Sequence, residues 1–363
     1  MLGPLAGIRI LEFESIGPGP YCAMLLADLG AEVLRLARPA ADRGKLIEDR
    51  GHAVMHRGRP AITLNLKDAD DLDLACRLIG KADGLVEGLR PGVMEKLGLG
   101  PEQAHSLNPG LVYGRITGWG QEGPLAHSVG HDINYIALSG ALGTMGAPDA
   151  PPLPPLNLIG DFGGGGLYLA FGMLAALIEA GRTGQGQVVD AAMIDGAASQ
   201  MALLYAWHAT GSWRPEKGAN LLDGGAPFYR CYRCSDGKDV AVGAIEPQFF
   251  AALMQGLGLT EEEWDQYDRG RWPALAERIA GAFAGQPRDH WLGLLEGTDA
   301  CVSPVLTMAD APEHPHNRAR ATFTGPPTQP APGPRFSNHA GRVRDCDTAP
   351  DALRDQILTD WGI

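Results

Sequence analysis

The chain has 363 residues, 45% of them hydrophobic and 20% charged, which is enough for two domains or for one large domain with an insertion. Thirty Lys and Arg against 43 Asp and Glu leave a formal charge of −13. That balance excludes a general nucleic-acid binder, because such a surface repels the phosphate backbone. A small anionic ligand fits the same balance wherever a few cations are gathered locally.

Along the chain, IRILEF (8–13) is a short strand-forming run. The turn-rich SIGPGP follows, then YCAMLLADLG, a helix pattern closed by Gly30. AEVLRLA (31–37), AITLNL (61–66), GLVEG (84–88) and LVYGRIT (111–117) repeat the strand signal, with helical spacers such as DADDLDLACRLIGKA between. This alternation predicts an α/β fold with a doubly wound, mostly parallel, Rossmann-like sheet, whose ligands sit beyond the carboxyl ends of the strands.

From 153 the pattern changes. PLPPLNLIGDFGGGG leads into a long helix ending near Glu179, and QVVDAAMIDGAASQMALLYAWHATG adds a strand and another apolar helix. After a glycine-rich loop at 219–229, RCYRC and DVAVGAI alternate about the turn SDGK as a hairpin. Helical segments run to about 300, a Pro-, His- and Asn-rich connector covers 311–340, and APDALRDQILTDWGI ends the chain as a helix. The expected division is a large domain at 1–195, completed by 320–363, and a small α+β domain at 225–310. Residues 196–224 and 311–319 are the expected linkers.

The N-terminus lacks the layout of a signal peptide. The apolar segment LYLAFGMLAALIEA falls short of the roughly 18–20 residues that span a bilayer. Cys22, Cys76, Cys231, Cys234, Cys301 and Cys346 are scattered, as in a reducing compartment. The expectation is a cytoplasmic protein with no membrane partner.

Several motifs invite chemistry. IGPGPYC matches only the first two glycines of G-x-G-x-x-G/A (Gly17 and Gly19), and Arg38 stands where a nicotinamide dinucleotide site wants an acid. CYRC (231–234) and EHPH (313–316) lack the partners and geometry of a metal site. DFGGGG (161–166) is either a glycine-rich bend before a buried helix or a helix start whose free N–H groups hold a negative oxygen, with Asp161 at or near the N-cap. Arg38, Lys67, Arg90 and Lys96 each follow a predicted strand. Singly they are ordinary surface charges; together they mark one sheet edge as a polyphosphate site. His131 alone is an ordinary structural histidine, and Glu246 equally a helix-starting acid.

Taken in order, ILEFESIGPGPYCAMLLADLGAEVLRLARP, LNLKD, EGLRPGVMEKLGLGP, GHDINYIALSG, PPLNLIGDFGGGG, NLLDGGAPFY and VAVGAIEPQFF resemble the α-methylacyl-CoA racemases of the class III CoA-transferase (CaiB/BaiF) superfamily. The resemblance extends from the first strand to about residue 306. It implies that His131 and Asp161 are an acid/base pair, with Glu246 reaching the histidine across a subunit boundary of an interlocked homodimer. It places CoA contacts at Arg38, Leu64, Asn65, Leu66, Lys67, Gly88, Leu89, Arg90, Lys96, Gly130, His131, Asp132, Ile133, Asn134 and Tyr135. Arginine is common in the family where this chain has Lys96, and lysine loses the bidentate fork. Arg57 is carried as an unassigned phosphate contact, and Asp132 also reads as a local hydrogen-bonding residue.

The implied reaction interconverts (2R)- and (2S)-2-methylacyl-CoA by proton transfer through an enolate. CoA is part of the substrate and no separate cofactor or metal is called for. One base on each face and an oxyanion site are required; the N–H groups after Asp161 are expected to form that site, with the four glycines letting the backbone approach the thioester. Two alternatives stand beside this one: a class III CoA transferase with Asp161 as nucleophile, and a non-catalytic acyl-CoA-binding protein.

Overall fold

The computed structural model describes residues 3–39, 52–260, 264–339, 341, 343–344 and 349–363. Six strands form one parallel sheet: β1 Arg9–Phe13, β2 Glu32–Ala37, β3 Ala61–Thr63, β4 Gly84–Glu87, β5 Val112–Thr117 and β6 Val188–Ala192, in the order β3-β2-β1-β4-β5-β6. The sheet is doubly wound and parallel, as the alternation predicts, and its order puts the switch point between β1 and β4.

Successive strand residues feed opposite cores. Leu11, Leu34, Leu85 and Tyr113 pack with Leu74, Leu78 and Ile79 of the helix Ala69–Ile79 and with Ile357 and Trp361 of the C-terminal helix Arg354–Trp361. Their neighbours Ile10, Val33, Val86 and Val112 pack on the other face with Cys22 and Leu26 of the helix Pro18–Asp28 and with Leu169 and Met173 of the helix Tyr168–Thr183. Both faces are covered, so these strands read as apolar runs without polar alternation.

Two predicted elements differ. β3 stops at Thr63: the Leu64 N–H still reaches Ala37 O at 2.9 Å, but Asp68 N–H then turns back to Asn65 O at 2.7 Å. The DFGGGG stretch is a π-helix, Leu158–Leu167, continuous with Tyr168–Thr183. The combined run of 26 residues is long and apolar enough to cross a membrane by length and composition, longer than the sequence suggested. Leu169, Ala170, Met173 and Ala176 nonetheless bury it against the sheet as a core helix.

The chain divides into two compact units, Met1–Ala141 with Pro155–Ala202 and Ala321–Ile363, and Leu142–Pro154 with Leu203–Arg320. Residues 142–154, expected in the large domain, and 203–224 and 311–319, expected as linkers, group with the second unit. That unit holds the antiparallel sheet β7 Tyr229–Arg233, β8 Asp239–Gly243 and β9 Val302–Pro304. The helices Pro247–Gly256, Trp272–Ala284 and Arg288–Leu295 pack on it around Phe228, Phe250, Trp272, Phe283 and Trp291.

Candidate active site

The carboxyl ends of the first unit's strands open into two cavities. One, of about 260 Å³, runs across the ends of β1, β2 and β3 and is lined by Arg38, Leu64, Asn65, Leu66, Lys67 and Leu89, with Glu14 and Phe13. The other, of about 380 Å³, lies beyond β1, β4, β5 and β6 and is lined by Gly17, Gly88, Leu89, Arg90, Gly130, His131, Tyr135, Asp161 and Met193. Leu89 lines both. Its N–H is held at 2.7 Å by the buried Glu87 carboxylate, whose other oxygen takes the Arg115 Nε–H at 2.8 Å.

His131 immediately precedes the helix Asp132–Leu138. Its N–H donates to Asn134 Oδ1 at 3.0 Å and its carbonyl accepts the Asn134 N–H at 2.8 Å, which pins the turn. Tyr135 fixes the chain just before it. The phenol donates to Gly130 O, and the ring meets Trp119 edge-on with centroids 4.8 Å apart. A Cβ on Gly118 would fall 2.1 Å from that ring, so only glycine fits there. Burial, then the charges of Asp161 and Asp132, push the Tyr135 pKa up to about 12, so it stays a neutral donor.

Asp161 lies in the first turn of the π-helix, a form that recurs at functional sites. Asn157, one turn earlier, donates from Nδ2 to Asp161 Oδ2 at 3.2 Å. Burial raises the Asp161 pKa; the Asn157 hydrogen bond lowers it, the Asp132 charge raises it and His131 lowers it. The net result is a carboxyl that holds its proton more tightly than a free aspartate does.

The expected oxyanion site does not form as predicted. The Asp161 N–H is taken by Asp132 Oδ2 at 2.7 Å, and the Phe162 N–H donates five residues back to Asn157 O at 3.3 Å. Asp161 is therefore not an N-cap followed by free amides. Nor do the glycines serve a ligand. A Cβ on Gly164 would come within 2.6 Å of Ala197 N, one on Gly165 within 2.9 Å of Met193 Cγ, and one on Gly166 within 2.6 Å of Pro18 O. They let the π-helix touch the helices Met193–Gln200 and Pro18–Asp28 backbone to backbone.

The remaining candidates divide. Arg38 is exposed and ion-paired with Glu14 at 3.8 Å; Lys67 and Arg90 are exposed at the cavity walls. Lys96 ends the short helix Val93–Lys96, exposed, and lines neither cavity. Asp132, Ile133 and Asn134 do not line either cavity; Asp132 is buried. Arg57 is 4% exposed and spends its donors on Asp28, Gln329 and Pro330, so it is a structural residue and not a phosphate contact. Glu246 belongs to the second unit, where its carbonyl accepts the Phe249 and Phe250 N–H groups to start the helix Pro247–Gly256. Sequence reasoning missed Asn157, whose only signal was its place four residues before Asp161. Gly17, which the sequence offers only as part of an incomplete dinucleotide fingerprint, has a φ of +71° that sets the first loop beside the Asp161 carboxylate.

Residues 5–352 match the model of CoA-transferase family III. The chain belongs to that family. It is 45% identical to the alpha-methylacyl-CoA racemase of Mus musculus over 99% of this chain and 93% of the relative. It is 43% identical to the Homo sapiens protein of the same name, over 92% and 87%. Among solved structures, a CAIB/BAIF family protein from Brucella suis matches with a TM-score of 0.84 and 26% identity, over 99% of this chain and all of that one. The family's description names transfer while those two relatives are named racemases, so the reaction has to be argued from the His131–Asp161 cavity.

Proposed function

We propose that the chain is a 2-methylacyl-CoA racemase, an isomerase that removes the α-proton of the thioester on one face and returns one on the other. The observation that carries this is that His131 and Asp161, on separate elements, line one cavity, close enough for the His131 charge to act on the Asp161 carboxyl. A transferase has use for one nucleophile; it has none for an opposed imidazole. Each group supplies about 10²–10⁴-fold as a positioned acid or base. The thioester oxygen gains charge as the α-carbon is deprotonated.

CoA spans the two cavities past Leu89. Its phosphates meet Arg38, Lys67 and Arg90 at the sheet edge, and that remote binding holds the acyl carbon between the acid/base groups. A −13 protein holds a polyanion this way by gathering a few cations at one edge. The route uses no metal, nicotinamide or flavin; CoA arrives as part of the substrate. A cytoplasmic location belongs to this proposal and is supported by Cys22, Cys76, Cys231, Cys234 and Cys301, all free thiols; Cys346 lies outside the described residues.

The working form is proposed as a homodimer, with Glu246 approaching His131 of the partner. Leu167, Phe171 and Ile178 support it: they form one exposed apolar stripe on a helix whose opposite face is core. The apolar helix Ala202–Ala209 likewise buries no residue in the single chain.

The test is a single 2-methylacyl-CoA ester in D₂O. Exchange of the α-hydrogen with loss of stereochemistry, and no added carboxylate, is expected. Reaction only when an acceptor acid is present establishes the transferase, with Asp161 as nucleophile; tight binding with neither reaction establishes the binding protein.

A further inference from the structure

Asp132 sits where a carboxylate is costly. It is 6% exposed, and it lines neither cavity. Its Oδ2 accepts the Asp161 N–H at 2.7 Å, while its Oδ1 is sealed from solvent with no partner among the described residues. Gly160 makes the approach possible, since a Cβ there would meet Asp132 Oδ2 at 2.6 Å. A serine or an amide could accept one backbone N–H without leaving a charged oxygen buried and unpaired. Something other than stability accounts for the charge.

We infer that Asp132 is a positioning residue: its carboxylate ties the backbone of Asp161 to the residue next to His131 and so fixes the gap between the two acid/base groups. This rests on the acid/base reading above and deepens it. Neighbours in sequence cannot both face one substrate carbon, so His131 turns to the cavity and Asp132 turns inward to the opposing element. One dipeptide thus carries one member of the pair and the tether to the other.

The charge has a second effect. The polar groups facing Asp161 are Asn157 on its own helix, and His131, Asp132 and Tyr135 from the segment packed against it. After burial, Asp132 is the group among these that raises Asp161's proton affinity, while Asn157 and His131 lower it. A fixed negative charge behind Asp161 keeps it able to give up a proton to an enolate as well as take one.

Two variants of the full chain separate tether from charge. Asp132→Asn keeps an oxygen for the Asp161 N–H and removes the charge; Asp132→Ala removes both. Asp132→Ala is expected to lower kcat for α-proton exchange by about 10²-fold, the cost of an ångström-scale misplacement, with KM changed by less than about twofold. Asp132→Asn is expected to keep more of kcat and to move the Asp161 titration, followed by ¹³C-carboxyl NMR and assigned with Asp161→Asn, to lower pH. That titration needs no turnover. It therefore reports on Asp132 even if the parent chain exchanges no α-proton, which would sink the acid/base reading instead. An unmoved Asp161 titration in Asp132→Asn, or parental kcat in Asp132→Ala, overturns the inference. If Asp132→Ala fails to fold, the titration in Asp132→Asn decides alone.

Discussion

Replacing Gly196 with alanine should cripple the reaction without touching a polar group. Gly196 lies midway along the helix Met193–Gln200, against the π-helix that carries Asp161. A methyl group there would stand 1.9 Å from the Gly164 carbonyl oxygen and 2.6 Å from Gly164 C and Cα. The obstruction is backbone, so no rotamer relieves it. Regaining ordinary contact at 3.4 Å forces the two helices apart by roughly 1.5 Å. Overpacking of this kind costs about 1–3 kcal/mol, and a rigid neighbour puts Gly196→Ala near the top of that range. Thermal melting should drop by about 4 °C. An ångström-scale shift of Asp161 should lower kcat by about 10²-fold, or 2.7 kcal/mol of barrier. CoA affinity, measured by calorimetry, should hold, because Arg38, Leu64–Lys67 and Leu89 lie on other segments. Gly281→Ala is the control. That glycine is inside the helix Trp272–Ala284 with nothing within 4 Å of a new Cβ, so alanine should stabilise by about 0.5–1 kcal/mol. Parental exchange rates and melting in Gly196→Ala would refute the claim that the glycine run exists for helix contact.

Asp161→Asn should melt higher than the parent at pH 8 and gain nothing well below pH 3.8, the ordinary aspartate value. The folded pKa is raised, so folding favours the protonated form; the parent loses stability as pH climbs from the unfolded value through the folded one, and the amide does not. A gain that shrinks as pH rises would reverse the sign and reject a raised pKa. Lys67→Ala should weaken CoA binding about tenfold, and Lys96→Ala by less than about threefold, both by calorimetry; the opposite ranking would place Lys96 on the ligand. Phe171→Asp should turn the proposed dimer into a monomer by sedimentation, and an unchanged dimer would show that the Leu167–Phe171–Ile178 stripe is covered by something else.

Strand content was legible because burial on both faces leaves an apolar signature, seen in pairs such as Ile10–Leu11 and Val33–Leu34. The parallel, doubly wound character followed from alternation, while the order of the strands is a tertiary fact. The end of β3 was not legible: Leu64 and Leu66 continue the pattern, yet they leave the sheet at the Asn65–Asp68 turn. The structural role of Arg57 is invisible in the sequence, because its partners Gln329 and Pro330 lie some 270 positions away. DFGGGG was the hardest. A glycine run announces close approach, but whether to a ligand or to Ala197 and Pro18 is a tertiary fact. His131 and Asp132 posed a related problem, since opposite orientations of two adjacent residues appear only once the facing element is known.

Leu89, the residue common to both cavities, has a consequence for how such proteins diversify. The cavity proposed for the CoA handle depends on loops after the first three strands of the sheet and on Leu89, while the proposed reactive end depends on further residues of the loop after the first strand, on loops after the fourth to sixth and on the π-helix. Substitutions at one end leave the other's residues in place, so the chemistry can be exchanged while the anchoring energy is inherited intact. A fold divided in this way can turn a proton shuttle into a group carrier, or the reverse, without passing through an ancestor that cannot hold its substrate.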